Sequence, residues 1–537
     1  MYKKLQTVAA IGILALISTI SIVAPESHAQ EITEQTVQQG TLPANVPGFT
    51  SVPMKQPGKT SAPPIPGDDG GLSWYDERQI GDQIAYEIQK DIIHERDIIL
   101  YDYVNFIWQE LIRGARNNGE LSQDLYQQMA WKMFLIQDPS VNAFALPGAY
   151  IGVNLGLVSM VTSRDELASV LAHETVHIVQ RHIARMYGKN TQFSVMSLAS
   201  LIVGAIAASA DPNAGIAIML GGQAAAAQGQ INFTRAMEYE ADRIGYRVLV
   251  DSGFHPQGMA DMFKVLQQAS RFSDSSSFPY LRTHPLDNQR IAEAQTRIGI
   301  TKNAKPAIDY QQAMMSARAG VLANPNPDDL RKIIANANPG NNAPLIQRIA
   351  NLYAGVLAAT KLRQYATADK LLEQLQTTVA TLGNTKFDRI VALQGVESAL
   401  EEGNADKARK WLATGFASNA PELVRPEILL QAKVNIALGE PQKVIGALTS
   451  WTVQHHDDEI AWQILASAYA MNQQKVLSLR AEGEARMATL DYGGAIDRFK
   501  AALKQGRQGA ELADLEVVQA RLKIAEQAQK DRMAFEL

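Results

Sequence analysis

Residues 163–187 read SRDELASVLAHETVHIVQRHIARMY. Ser163 with Glu166 three residues later forms a capping box, and Leu167, Val170, Leu171 and Ile178 recur at helical spacing, which predicts a helix to about Tyr187. His173 and His177 lie in its middle. Four residues slightly exceed the ~3.6 of one turn, so both imidazoles leave the helix on one face and can share one metal ion. With 9 His in 537 residues, about 0.15 pairs at this spacing would arise by chance, and requiring Glu174 between them lowers that many-fold, so the pattern is read as a site. Imidazole suits Zn2+, which lowers the pKa of a bound water. Glu174 is then the expected acceptor of that water's proton as it attacks a peptide carbonyl.

A catalytic zinc needs a third protein ligand and an open position. Cysteine is absent, so that ligand must come from His, Asp or Glu. The segment FTRAMEYEAD at 233–242 begins 56 residues after His177 and reads as helix. Glu238 and Asp242 share a face of it while Glu240 points elsewhere, and the spacing leaves open whether Glu238 or Asp242 meets the metal. His182 lies off the metal-binding face and is read as a surface or supporting residue; His455 and His456 are read as solvent-facing. Upstream, Asn142 to Leu146, the turn at Pro147-Gly148, and Ala149 to Val153 predict two short strands. An extended peptide can add to the edge of such a sheet through main-chain hydrogen bonds that are largely independent of its sequence.

A chain of 537 residues exceeds what one core organises, and 46% hydrophobic with 20% charged residues is ordinary for globular domains. Net charge is −5, from 50 basic and 55 acidic residues without a Lys/Arg-dense stripe, which argues against nucleic acid as a partner. The missing cysteine excludes disulfides, thiolate ligands, cysteine nucleophiles and a lipoprotein anchor. Lys3 and Lys4, the apolar run from Val8 to Val23 and Ser27-His28-Ala29 predict a cleaved signal peptide over 1–29 and export to the periplasm. A Pro/Gly-rich tether over 30–72 follows, and a catalytic domain over 73–305 opens with Ser73 capping a helix that carries Ile80, Ile84 and Ile88.

Two uncharged arms between Ser194 and Ala227, broken by Asp211-Pro212-Asn213, are short for a membrane hairpin. They are read as a buried or membrane-surface helix pair, a route to peripheral membrane contact. From 306 to 537 the chain reads as helical repeats. The steps from Ala408 to Val444 and from Val444 to Val476 are 36 and 32 residues, near the ~34 of tetratricopeptide repeats, with Ala495 out of phase.

Together, HETVH at 173–177, EYEAD at 238–242, Asn142-Ala143-Phe144 with Pro147-Gly148, and Thr283-His284-Pro285 followed by Arg290 resemble the M48 metallopeptidases, over roughly Ser73 to Ile298. The resemblance implies a zincin-like α+β domain with a small sheet, followed in this mainly α chain by a tetratricopeptide solenoid. It implies one zinc per chain on His173, His177 and Glu238, with Asp242 orienting a zinc-binding His. His284 would either stabilise the oxyanion or fill the fourth coordination site at rest, and Arg290 would help bind substrate. Phe233 stands where a Tyr often precedes the Ser/Thr-Arg pair.

An export signal ahead and repeats behind are similar to the order in family members of the bacterial envelope. That implies unfolded or stalled outer-membrane proteins as substrates and clients, and contact between the repeats and the β-barrel assembly machinery. The alternative is a repeat-based binding scaffold or chaperone with a suppressed zinc site; intact His173, Glu174, His177 and Glu238 favour the enzyme.

Overall fold

The computed structural model describes residues 72–90, 94–188, 234–272, 278–298, 308–338, 340, 342–415, 424–506 and 512–536. The expected signal peptide, nearly all of the tether, Phe233 and the 194–227 stretch lie outside these residues. Among the described residues, no helix is long and apolar enough to cross a membrane.

The chain is mainly α-helical with one small sheet. Helix α1 (Trp74–Lys90) starts at Ser73, whose hydroxyl accepts from the Asp76 N–H at 3.1 Å, and it buries Ile80, Ile84 and Ile88. Strand β1 (His94–Glu95), helix α2 (Ile98–Asn117), the short α3 (Gln123–Gln128) and strands β2 (Lys132–Ile136), β3 (Ala143–Leu146) and β4 (Tyr150–Asn154) follow. The sheet order is β1-β2-β4-β3, with β2 parallel to β4 and the outer pairs antiparallel. The two predicted strands are β3 and β4. They pair from Ala143 opposite Val153 to Leu146 opposite Tyr150, and Gly148 and Ala149 make the turn at φ 76° and 61°. Gly148 adopts that conformation without a Cβ penalty.

Helix α4 (Leu155–Met160) leads into α5 (Arg164–Val179), which carries the HETVH motif and is buried at every residue from Glu166 to Val179. Ser163 accepts from the Glu166 N–H at 3.2 Å, but the Glu166 carboxylate returns to the N–H and hydroxyl of Thr162, one residue earlier than a capping box requires. The helix also stops short of Tyr187. Arg181 takes φ 50°, and its buried guanidinium pairs with Glu77 at 2.8 Å and with the Leu72 carbonyl. A separate helix, α6 (His182–Gly188), begins at the next residue. The break therefore coincides with a buried contact to a residue about a hundred positions away, which no local pattern displays.

Helix α5 packs against α2, where Trp108 Nε1 donates to Thr175 Oγ1 at 3.1 Å, and against α7 (Arg235–Asp251) and α8 (Gln257–Phe272). At Gly245 a Cβ would stand 3.3 Å from the His173 backbone nitrogen, so glycine lets α7 cross close to the motif. Helices α9 (Pro279–Thr283) and α10 (Asn288–Ile298) complete this half.

From α11 (Tyr310–Ala323) onward the described residues form helices alone: α12 (Pro327–Ala335), then the hairpins α13–α14 (Leu345–Lys361, Tyr365–Ala380), α15–α16 (Thr385–Glu401, Ala405–Gly415), α17–α18 (Val424–Ala437, Gln442–Gln454), α19–α20 (Glu459–Met471, Lys475–Ala488) and α21–α22 (Tyr492–Gly506, Leu512–Glu536). Ala408 and Val444 are buried near the start of second helices. The matching small residue on α20 is the buried Ser478, whose hydroxyl donates to Ala466 O, rather than the half-buried Val476. Ala495 is out of phase because it lies on a first helix.

Helix α11 docks on the first half. Arg318 forks onto Asp97, the N-cap of α2, with Nε–Oδ1 2.7 Å and NH2–Oδ2 2.6 Å, and it also meets Glu397. The last hairpins return to α1 and β2, where Lys132 Nζ donates to Ala488 O at 2.6 Å and Arg532 lies over the Tyr86 ring.

Candidate metal centre

Helix α5 brings His173 Nε2 and His177 Nε2 to 3.0 Å from each other. Helix α7, capped by Thr234, sets the Glu238 carboxylate 3.4 Å from the first and 3.6 Å from the second. Helix α9 ends at His284, whose backbone N–H donates to Tyr280 O and whose ring stacks on Tyr280 with centroids 4.6 Å apart. One ligand atom from each of His173, His177, Glu238 and His284 lies within 4.8 Å of the others, and all four side chains are buried.

Glu174 borders the cluster on the β3 side. Its Oε2 accepts the Ala145 backbone N–H at 3.0 Å, while Oε1 has no hydrogen-bond partner and stands 3.4 Å from His284 Nε2. Asp242 lies behind the cluster, its Oδ1 3.0 Å from His173 Nδ1. Arg290, expected at the substrate, is buried here. It forks onto Asp242 at 2.6 and 2.8 Å, reaches Glu238 Oε2 at 2.8 Å and donates to Pro285 O. Spacing left Glu238 and Asp242 equivalent; packing puts Glu238 on the Nε2 side of His173 and Asp242 on its Nδ1 side.

Residue-by-residue reading left His182 between two places and missed one group. His182, read as a surface or supporting residue, takes the supporting place: it is buried, with Nδ1 2.8 Å from His177 Nδ1 and Nε2 3.2 Å from Glu240 Oε2. The sequence signal for this contact was a third His after His173 and His177, and a third acidic residue in the 238–242 motif. The Ala145 amide, a backbone group, left no residue-type signal at all. Outside the site, His455 is half-buried on the Trp451 ring, while His456 is exposed.

The electrostatics favour positive charge at the cluster. Burial opposes ionisation of His173, yet Glu238 and Asp242 outweigh it and raise its pKa to about 10. Burial works against the Glu238 carboxylate too, but His284 and His173 hold it well below the usual range. Asp242 is likewise lowered, Arg290 overcoming its burial. Burial, with neighbouring imidazolium charge, depresses His177, and burial raises Glu174.

These groups fit a divalent zinc ion. With Asp242 accepting from His173 Nδ1, a bound cation would take the place of the proton that Glu238 and Asp242 favour on His173 Nε2, and would relieve the crowding of that nitrogen against His177 Nε2. The orphaned Glu174 Oε1 is a buried acceptor beside it.

Residues 109–298 match the family model described as Peptidase family M48. The chain is 29% identical over 462 residues to the Beta-barrel assembly-enhancing protease of Escherichia coli (strain K12), covering 84% of this chain and 90% of that protein. It is 33% identical over 288 residues to the Putative beta-barrel assembly-enhancing protease of Vibrio cholerae serotype O1, covering 52% and 55%. Against the Mitochondrial metalloendopeptidase OMA1 of Schizosaccharomyces pombe, identity is 31% over 167 residues, covering 31% and 46%. With a buried His/His/Glu/His cluster able to hold a metal ion inside the segment 109–298 that matches peptidase family M48, and with metalloendopeptidases among its relatives, the chain is a zinc metalloendopeptidase with an M48 peptidase segment.

Proposed function

We propose that this chain is an exported envelope endopeptidase that hydrolyses misfolded or stalled outer-membrane proteins and assists their assembly. His173, His177 and Glu238 hold the zinc, and Asp242 orients His173. A zinc ion held there would supply Lewis acidity toward the scissile carbonyl and lower the pKa of a water molecule. Glu174 Oε1 takes that water's proton and delivers it to the leaving amine, while the Ala145 N–H keeps Oε2 occupied and Oε1 aimed at the reaction. Strand β3 is the edge of the sheet, so an extended client adds alongside it, held by main-chain hydrogen bonds. His284 is a resting ligand of the same ion and keeps the enzyme latent.

The observation that carries the reading is the convergence of His173, His177, Glu238 and His284 with the unpartnered Glu174 Oε1. Digestion of casein by the purified chain and by its His284→Ala variant, with and without chelator, tests it: chelator-sensitive cleavage, greater in the variant, is expected, and cleavage that survives chelation, or none by either protein, defeats it. The assembly role is supported by likeness to assembly-enhancing proteases over most of their length and by stacked helix hairpins, which we read as degenerate tetratricopeptide repeats that receive clients or the β-barrel assembly machinery. Periplasmic localisation rests on the signal-like first 29 residues, and fractionation of cells expressing the full chain tests it.

A further inference from the structure

His173 and His177 are oriented by different devices. His173 meets a carboxylate directly, whereas His177 meets another imidazole, and that imidazole meets the carboxylate. His182 Nδ1 is 2.8 Å from His177 Nδ1, His182 Nε2 is 3.2 Å from Glu240 Oε2, and Arg185 NH1 holds the same Oε2 at 3.1 Å.

The direction of this chain follows from its end. An ionised carboxylate held by an arginine accepts hydrogen bonds and cannot donate one. The proton of neutral His182 therefore sits on Nε2, and its Nδ1 carries the lone pair. That lone pair faces His177 Nδ1, which must be the N–H, so the His177 lone pair is on Nε2, directed at His173 and Glu238. With the opposite polarity, a proton on His182 Nδ1 would require one on His177 Nε2, and His177 could not bind a cation.

We propose that His182 and Glu240 are positioning residues that hold His177 in the one tautomer able to ligate a divalent ion. The break at Arg181 is what makes this possible, because a continuous helix would carry His182 away from the motif's face. The inference rests on the ligand assignment proposed above.

The test uses the purified full chain, stripped of metal and titrated with zinc against a chromogenic competitor. His182→Asn leaves an amide oxygen near the place of Nδ1; His182→Phe keeps the ring's bulk and removes the acceptor. His182→Phe should bind zinc about 10–100-fold more weakly and His182→Asn within about threefold of wild type. Glu240→Ala, at a part-exposed position, should lose about 3–10-fold while melting like wild type. A packing role predicts the reverse order, with Phe tight and Asn weak, and that result overturns the proposal, as does wild-type affinity in both His182→Phe and Glu240→Ala. Zinc retained at full affinity by His177→Ala would instead overturn the ligand assignment itself, so the two failures are distinguishable.

Discussion

Ala145 donates its backbone N–H to Glu174 Oε2 at 3.0 Å, tying the edge strand of the sheet to the glutamate of the HETVH helix. The bond orients the carboxylate so that one oxygen is committed and the other is free to take a proton. Glu174→Gln keeps an acceptor for Ala145 but presents an NH2 group where the free oxygen stood. Zinc content and melting temperature should hold, and peptidase turnover should fall by ~10²–10⁴-fold. Near-normal turnover in the zinc-loaded variant would remove Glu174 from the reaction.

Glu238 and Asp242 should fail differently, because one faces the ligand nitrogens and the other supports His173 from behind. Glu238→Ala should lose zinc outright, and Asp242→Ala should weaken zinc by ~10–100-fold. Competition titration of both variants checks the order; tighter zinc in Glu238→Ala than in Asp242→Ala would reverse the assignment.

His284 lies within ligand distance of the cluster and 3.4 Å from the Glu174 oxygen that is free to act. A resting ligand there blocks the water's place, so His284→Ala should raise casein cleavage and self-cleavage at equal zinc content. A variant slowed by up to ~10²–10³-fold would make His284 an oxyanion stabiliser instead. Unchanged turnover would exclude both roles.

The Arg318–Asp97 fork joins the helical half to the N-terminus of α2 and should make stability acid-sensitive. Burial disfavours the Asp97 carboxylate, but Arg318 outweighs it and its folded pKa lies below 3.8. A depressed folded pKa contributes stability that is complete above the unfolded value and is lost as pH falls through the folded one. Arg318→Ala leaves Asp97 buried without its partner and should cost ~3–5 kcal/mol near neutral pH. Thermal melts at neutral pH and at successive steps below 3.8 check this: the gap between wild type and variant should shrink in acid, and a gap independent of pH would show that the pair contributes nothing.

Local features were legible without coordinates. The i, i+4 histidines, the Ser73 cap and the Pro147-Gly148 turn each depend on atoms a few residues apart, so their geometry is set by helix pitch and turn stereochemistry. The second half was legible as helical, but not in which residues it buries: Ser478 is buried where Val476 was expected to pack, because burial follows where two helices touch rather than residue type alone.

What the sequence determined by itself was therefore the chemistry available at the site: two imidazoles on one helical face, a glutamate beside them, acidic residues on a second helix, and no thiol to compete. Which groups point at the metal position was decided by tertiary structure. Glu238 and Asp242 are equivalent by spacing and become distinct only because α7 crosses α5 closely at Gly245 and Arg290 clamps Asp242 from behind. His182 reaches His177 because the helix breaks between them at Arg181, whose guanidinium is buried against Glu77 from α1. These outcomes depend on partners tens to hundreds of residues apart, which meet only once the helices have packed and so leave no local pattern in the sequence.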